Sequence, residues 1–129
     1  MSYTSRTGAV LFAKSPDRLA TFYSLVLGLS EAGRDDDHIL LESPGFQLVV
    51  HRLTVKGSEA REITVPPTRR ATAAFKPVFF VSSISRLREL VEKHGGVMES
   101  ADREWAFNGA TVCDGLDPEG NVIQFREGA

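Results

Sequence analysis

Leu19, Phe22, Tyr23, Val26 and Leu27 recur at the spacing of one apolar helix face. Ser15 followed by Pro16 is a start signal, an N-cap and then a first helical residue, and Gly28 is a stop. Ahead of this helix the apolar run from Gly8 to Ala13 predicts a strand. Behind it, strands are expected over 29–33, 38–42 and 46–53, parted by the acidic turn at Asp35-Asp36-Asp37 and by Ser43-Pro44-Gly45. Consecutive acids in a turn read as a solvated loop, not as a metal site. Over 54–73 periodicity is lost, broken by Gly57, Ser58, Pro66, Pro67, Arg69 and Arg70. That stretch is expected to be a long connection, with one brief strand over 62–65.

The second half follows the same order. A strand over 76–81 precedes Ser83, a cap for a helix carrying Leu87, Leu90 and Val91 and ending at Gly95-Gly96. Strands are expected over 97–99 and from about 105 to 114. The turn Asp117-Pro118-Glu119-Gly120-Asn121 delivers the last strand, through Val122, Ile123, Gln124 and Phe125. At an offset of 68, Val10 matches Val78, Phe12 matches Phe80, Ser15 matches Ser83 and Gly28 matches Gly96. Towards the module ends the offset is 75, pairing Gly45 with Gly120 and Val50 with Phe125. The chain therefore reads as two βαβββ modules, 7–53 and 74–127, joined by the 54–73 connection within one α+β domain, 1–129.

Strand side chains alternate between faces. One set is wholly apolar: Leu11, Leu48, Val50, Phe79, Val81, Ile123 and Phe125. The other mixes aromatic rings with hydrogen-bonding groups, at Phe12, Gln47, His51, Lys76, Phe80, Gln124 and Arg126. That mixture suits a small-molecule pocket. Trp105, beside Phe107, fits either the mouth of such a cavity or core packing.

Composition narrows the classes. A net charge of −2 gives no electrostatic case for nucleic acid or an anionic membrane as partner. The single cysteine, Cys113, excludes an internal disulfide and a Cys-rich zinc site, and reads as a small buried filler. His38 and His94 read as turn and helix-end residues, and Glu99 and Glu104 as surface. The first eight residues hold no apolar signal core and no run reaches bilayer length, so a cytoplasmic protein is expected. No Ser-His-Asp order, phosphate loop or nucleotide fingerprint is present.

The Phe22-Tyr23 pair followed by Leu27-Gly28-Leu29, the Asp117–Asn121 turn and the doubled module order resemble the vicinal oxygen chelate superfamily: glyoxalase I, extradiol dioxygenases and bleomycin-resistance proteins. The resemblance implies a curled mixed sheet around a shared cavity, helices outside, and a homodimer. In metal-using members four cavity residues hold a divalent ion. The matching positions here are Gly8, Val49, Lys76 and Gln124. Two offer no side-chain donor, one arrives protonated, and only Gln124 is a plausible ligand, so neither a metal nor another cofactor is expected.

The expected function is metal-independent binding, or sequestration, of a small molecule. The alternative is a lyase, isomerase or dioxygenase-like enzyme acting on a small carbonyl or aromatic substrate. No assigned cavity position is acidic, so the expected ligand has an anionic or carbonyl group beside a flat apolar part. Lys76 and Arg126 would pair the anion, Gln124 would hydrogen-bond a carbonyl, and Phe12 and Phe80 would pack the flat part. Gln47, His51 and Trp105 complete the ligand-binding set. The assignment depends on strand phase, because a bulge before Lys76 or Arg126 would turn the charge outward.

Overall fold

The computed structural model describes residues 7–53, 62–70 and 74–128. The chain divides into two compact units, Met1–Glu62 and Ile63–Ala129. The first holds β1 (Gly8–Ala13), α1 (Pro16–Leu27), β2 (Ser30–Arg34), β3 (His38–Ser43) and β4 (Phe46–Arg52). Its sheet has the order β1-β4-β3-β2, with β1 parallel to β4 and the other pairs antiparallel. A parallel pair needs a long crossover, and α1 begins that connection and packs on β1, β3 and β4. Leu19, Phe22, Tyr23 and Val26 are buried against the sheet. The rings of Phe22 and Tyr23 meet edge to face, 5.2 Å between centroids. Gly28 ends the helix at φ 73°, its N–H donating to the Ser24 carbonyl at 2.9 Å.

The second unit holds β5 (Val78–Val81), α2 (Ile84–Lys93), β6 (Val97–Met98), a 3-10 turn (Ala101–Arg103), β7 (Trp105–Phe107), β8 (Ala110–Leu116) and β9 (Val122–Glu127). The order is β5-β9-β8-β6, with β7 also paired to β8 and β5 parallel to β9. The sequence repeat reappears as strand register. Val10 faces Val49 as Val78 faces Gln124, Leu11 faces Val50 as Phe79 faces Phe125, and Phe12 faces His51 as Phe80 faces Arg126.

The α+β class holds, with two mixed open sheets, one in each unit. The expected strand over 105–114 is two strands. Asn108 and Gly109, at φ 51° and 81°, turn the chain between Phe107 and Ala110, the two-residue hairpin that an Asn-Gly pair favours. Strand β8 then runs past Asp114 to Leu116. Strand β5 begins at Val78, not Lys76. Pro77 lacks an N–H for the ladder, although its carbonyl accepts from Gln124 N–H at 2.9 Å. The brief strand expected over 62–65 is not formed. Ser83 caps α2 by accepting from Arg86 N–H at 3.2 Å, whereas the Ser15 side chain makes no capping hydrogen bond.

The Asp117 turn is held by its own side chain. One carboxylate oxygen accepts from Glu119 N–H at 2.9 Å and Asn121 N–H at 3.1 Å, and the other from Asn121 Nδ2 at 2.8 Å. Asp117 is fully buried and Gly120 takes φ 83°. This stretch sets the β8–β9 register. Of the expected connection, residues 54–61 and 71–73 lie outside the described residues.

Candidate functional site

In the second unit Ile123, Phe125 and Cys113 are fully buried. The other face of the sheet carries two rows fixed by register. Phe80, Arg126, Val112 and Trp105 form one, and Val78, Gln124 and Asp114 the other. Polar side chains run across these rows as a chain. Lys76 Nζ donates to Asp114 Oδ2 at 2.9 Å, Gln124 Nε2 donates to Asp114 Oδ1 at 3.3 Å, and Arg126 Nε donates to Gln124 Oε1 at 2.8 Å. Aromatic rings flank it. The Arg126 guanidinium lies 5.0 Å from the Phe107 centroid and 5.8 Å from that of Phe80, and Lys76 Nζ lies 6.0 Å from the Trp105 ring. Gln124 is 6% exposed, whereas Phe80 is 71% exposed.

Five expected site residues, Lys76, Phe80, Trp105, Gln124 and Arg126, therefore share this face. The β5–β9–β8 registers run without a shift, so Arg126 stays in phase with Gln124. One expectation is corrected: the face is not free of acid. Asp114 sits opposite Gln124 because β8 continues past the end expected for it. Counting back from the Asp117–Asn121 turn would have placed it there. Its carboxylate neutralises Lys76, so the two cations are not equivalent. Among the described residues Arg126 has no carboxylate partner.

Phe12, Gln47 and His51 belong to the first unit. Phe12 and His51 are in contact, with ring centroids 5.3 Å apart, and the His38 ring meets His51 edge-on at 4.2 Å. His38 lies in β3 rather than in a turn, and its Nδ1 is 2.9 Å from Asp35 Oδ1. That hydrogen bond, with help from the Asp37 backbone N–H, holds the Asp35 carboxyl below its ordinary range. Gln47 Nε2 donates to Glu42 Oε2 at 3.1 Å, and Glu42 is 6% exposed. Glu42 is another acid not anticipated. The Ser43-Pro44-Gly45 turn places it opposite Gln47.

The metal positions implied by the resemblance do not fit an ion. A Cβ on Gly8 would lie 2.6 Å from the Gln47 carbonyl oxygen, so no ligating side chain can start there without moving β4. Val49 has no donor. Lys76 brings a cation already paired to Asp114, and the Gln124 carbonyl oxygen is occupied by Arg126. Among the described residues no group of three or more His, Cys, Asp and Glu side chains could hold a metal.

Cys113 is buried, its Sγ 3.5 Å from the Glu99 carbonyl and 3.9 Å from Arg88 Nη2. Burial pushes its thiol up, the opposite of what a nucleophile needs. Glu99 and Glu104, expected at the surface, are half-buried. Glu104 pairs with Arg88 at 2.6 Å. A cleft of about 140 Å³ lies beside Asp114, between the β6–β8 pair and the segment bearing Arg69.

No family model matches this chain, and no curated protein does. Solved structures share its fold over nearly the whole length. A glyoxalase/bleomycin resistance protein/dioxygenase family enzyme from Burkholderia phytofirmans is 16% identical at TM-score 0.73, covering 98% of this chain and 100% of that one. The fosfomycin resistance protein FosX from Listeria monocytogenes is 13% identical at TM-score 0.67, covering 100% and 93%. An integron cassette protein from the mobile metagenome of V. cholerae is 20% identical at TM-score 0.64, covering 98% and 97%.

Proposed function

We propose that this chain, whose fold is that of the vicinal oxygen chelate superfamily, is a small-molecule-binding protein that sequesters its ligand without a metal ion. The observation that carries this reading is Arg126. Its guanidinium lies near both the Phe80 and the Phe107 ring, is oriented by Gln124, and lacks a carboxylate partner among the described residues. A carboxylate or polarised carbonyl on a flat molecule matches that arrangement, with its oxygen on the guanidinium and its plane on the rings. Lys76, neutralised by Asp114, contributes position more than charge. Fold alone does not fix function, so the reading rests on these side chains.

In this reading the chain works as one cytoplasmic domain, and the ligand set on this face of the second unit extends to Trp105. A homodimer is part of this reading, because Val10 and Phe12 of the first unit's open sheet are exposed apolar residues. Light scattering at micromolar concentration giving a mass near 14.1 kDa would remove the dimer from the proposal.

Thermal-shift screening with acidic and basic aromatic compounds of matched size tests the ligand. Acidic compounds should stabilise the protein preferentially, and Arg126→Ala should abolish the preference. Stabilisation by basic compounds, unchanged in Arg126→Ala and Lys76→Ala, refutes it. Elemental analysis of protein purified without chelator should find no stoichiometric Zn, Ni, Mn or Fe. The enzyme alternative has one specific support: the Asp114 carboxylate is on the same face as Arg126, and once released by Lys76 it would be placed to take a proton from a bound molecule. Turnover of a small carbonyl compound, lost in Asp114→Asn, would replace sequestration with catalysis.

A further inference from the structure

The cleft beside Asp114 is chemically unlike the aromatic face. Val97, Leu116 and Val122 line it together with the polar Arg69, Glu99, Ser100 and Asp114. The backbone positions Arg69 firmly. Pro67, two residues before it, is buried, and the next residue, Arg70, donates its N–H to the Gly120 carbonyl at 3.0 Å. Among the described residues the Arg69 side chain has no hydrogen-bond or ion-pair partner. Among the described residues the Glu99 carboxylate has one ion-pair partner, Arg103 at 3.7 Å, while Arg88 donates to the Glu99 backbone carbonyl and pairs with Glu104. Asp114, by contrast, has one oxygen on Lys76 and the other on Gln124. The cleft therefore offers one available cation, one available anion and an apolar wall. About 140 Å³ is close to the roughly 150 Å³ that accommodates one benzene-sized molecule.

We infer that this cleft is a separate binding site for a small zwitterion with an apolar body, the chemistry of a free aliphatic amino acid. Its carboxylate meets Arg69, its ammonium meets Glu99, and its side chain lies on Val97, Leu116 and Val122. Charge-assisted contacts to two groups of opposite sign discriminate against molecules carrying only one of the charges. The inference goes beyond the aromatic-face reading. It uses Arg69 and Glu99 and makes no use of Arg126, so the two can fail independently.

Amide chemical-shift titration of the isotope-labelled full chain, at mildly acidic pH, tests it with three probes. L-valine carries both charges, isovalerate lacks the ammonium, and valinamide lacks the carboxylate. L-valine should shift the amides of Val97, Ser100 and Gly115 saturably and bind more tightly than either truncated probe. Arg69→Gln should weaken L-valine and isovalerate by about tenfold or more and leave valinamide unchanged. Glu99→Gln should weaken L-valine and valinamide and leave isovalerate unchanged. Arg126→Ala should leave all three unchanged. The inference is overturned if L-valine gives no saturable shift at these amides. It is equally overturned if a truncated probe binds as tightly as L-valine, or if L-valine binding depends on Arg126.

Discussion

Where β1 meets β4, the open face of the first unit sets Val10 against Val49 and Phe12 against His51. Where β5 meets β9, the same register sets Val78 against Gln124 and Phe80 against Arg126. The helix-facing positions hardly change, with Leu11 and Val50 in one unit and Phe79 and Phe125 in the other. The packed side thus holds the backbone to one geometry, while the open side is at liberty to differ. In the first unit it carries an edge-on histidine pair and a Gln47–Glu42 pair, and in the second a charged chain among exposed rings. The chemistry that most resembles a binding site is concentrated in the second unit.

If the two packed sides are equivalent, damaging either should cost comparable stability. Phe22→Ala is expected to lose about 3–5 kcal/mol and Leu87→Ala about 2–5 kcal/mol in denaturant melts. A loss below about 1 kcal/mol in one of them would show that its helix is not held as its counterpart is. Glycines separate the units next. A Cβ at Gly115 would meet Met98 Sδ at 2.8 Å and the Val97 carbonyl oxygen at 3.0 Å, whereas one at Gly33 meets nothing within 4 Å. Gly115→Ala should cost about 1–3 kcal/mol by overpacking, and Gly33→Ala should stay within about 0.5 kcal/mol of the parent.

The caps give a smaller contrast. Ser83→Ala should cost about 1 kcal/mol, because it removes the bond to Arg86 N–H, and Ser15→Ala should cost less because no capping bond is lost there. Equal losses would contradict the difference in cap geometry. The mildest effect is a pH dependence confined to the second unit. Burial raises the folded Cys113 thiol above its unfolded value. Stability from this group is fully present below the range in which the unfolded thiol ionises and is lost as pH rises from there towards the folded value. Cys113→Ala should flatten that alkaline decline, and iodoacetamide should label Cys113 only after denaturation.

Much of this architecture was legible in local signals. Helix faces, glycine stops and the Asp117 turn were plain because each depends on residues within one turn of chain. The repeat offsets even carried the strand register. What escaped depends on partners distant in sequence or on counting through a turn. Asp114 falls at the expected end of its strand, where a carboxylate reads as solvated, and Glu42 reads as solvated until its neighbour Gln47 is known. The break at Asn108-Gly109 had a clear signal, the pair itself, hidden inside an apolar stretch. Arg69 had none: it sits in a segment without periodicity, and only the backbone bond from Arg70 to Gly120 reveals where it is held.

Trp105 is the only tryptophan in the chain, and it stands half-exposed in the second unit with the Lys76 ammonium 6.0 Å from its ring. The intrinsic fluorescence excited at the indole band therefore originates within the proposed ligand-binding face and nowhere else. A molecule settling there shields the indole from water and from soluble quenchers, shifting emission to the blue and lowering the iodide quenching constant. One in the cleft beside Arg69 leaves both far less changed. The protein thus carries a built-in optical reporter that tells its two candidate sites apart without a label.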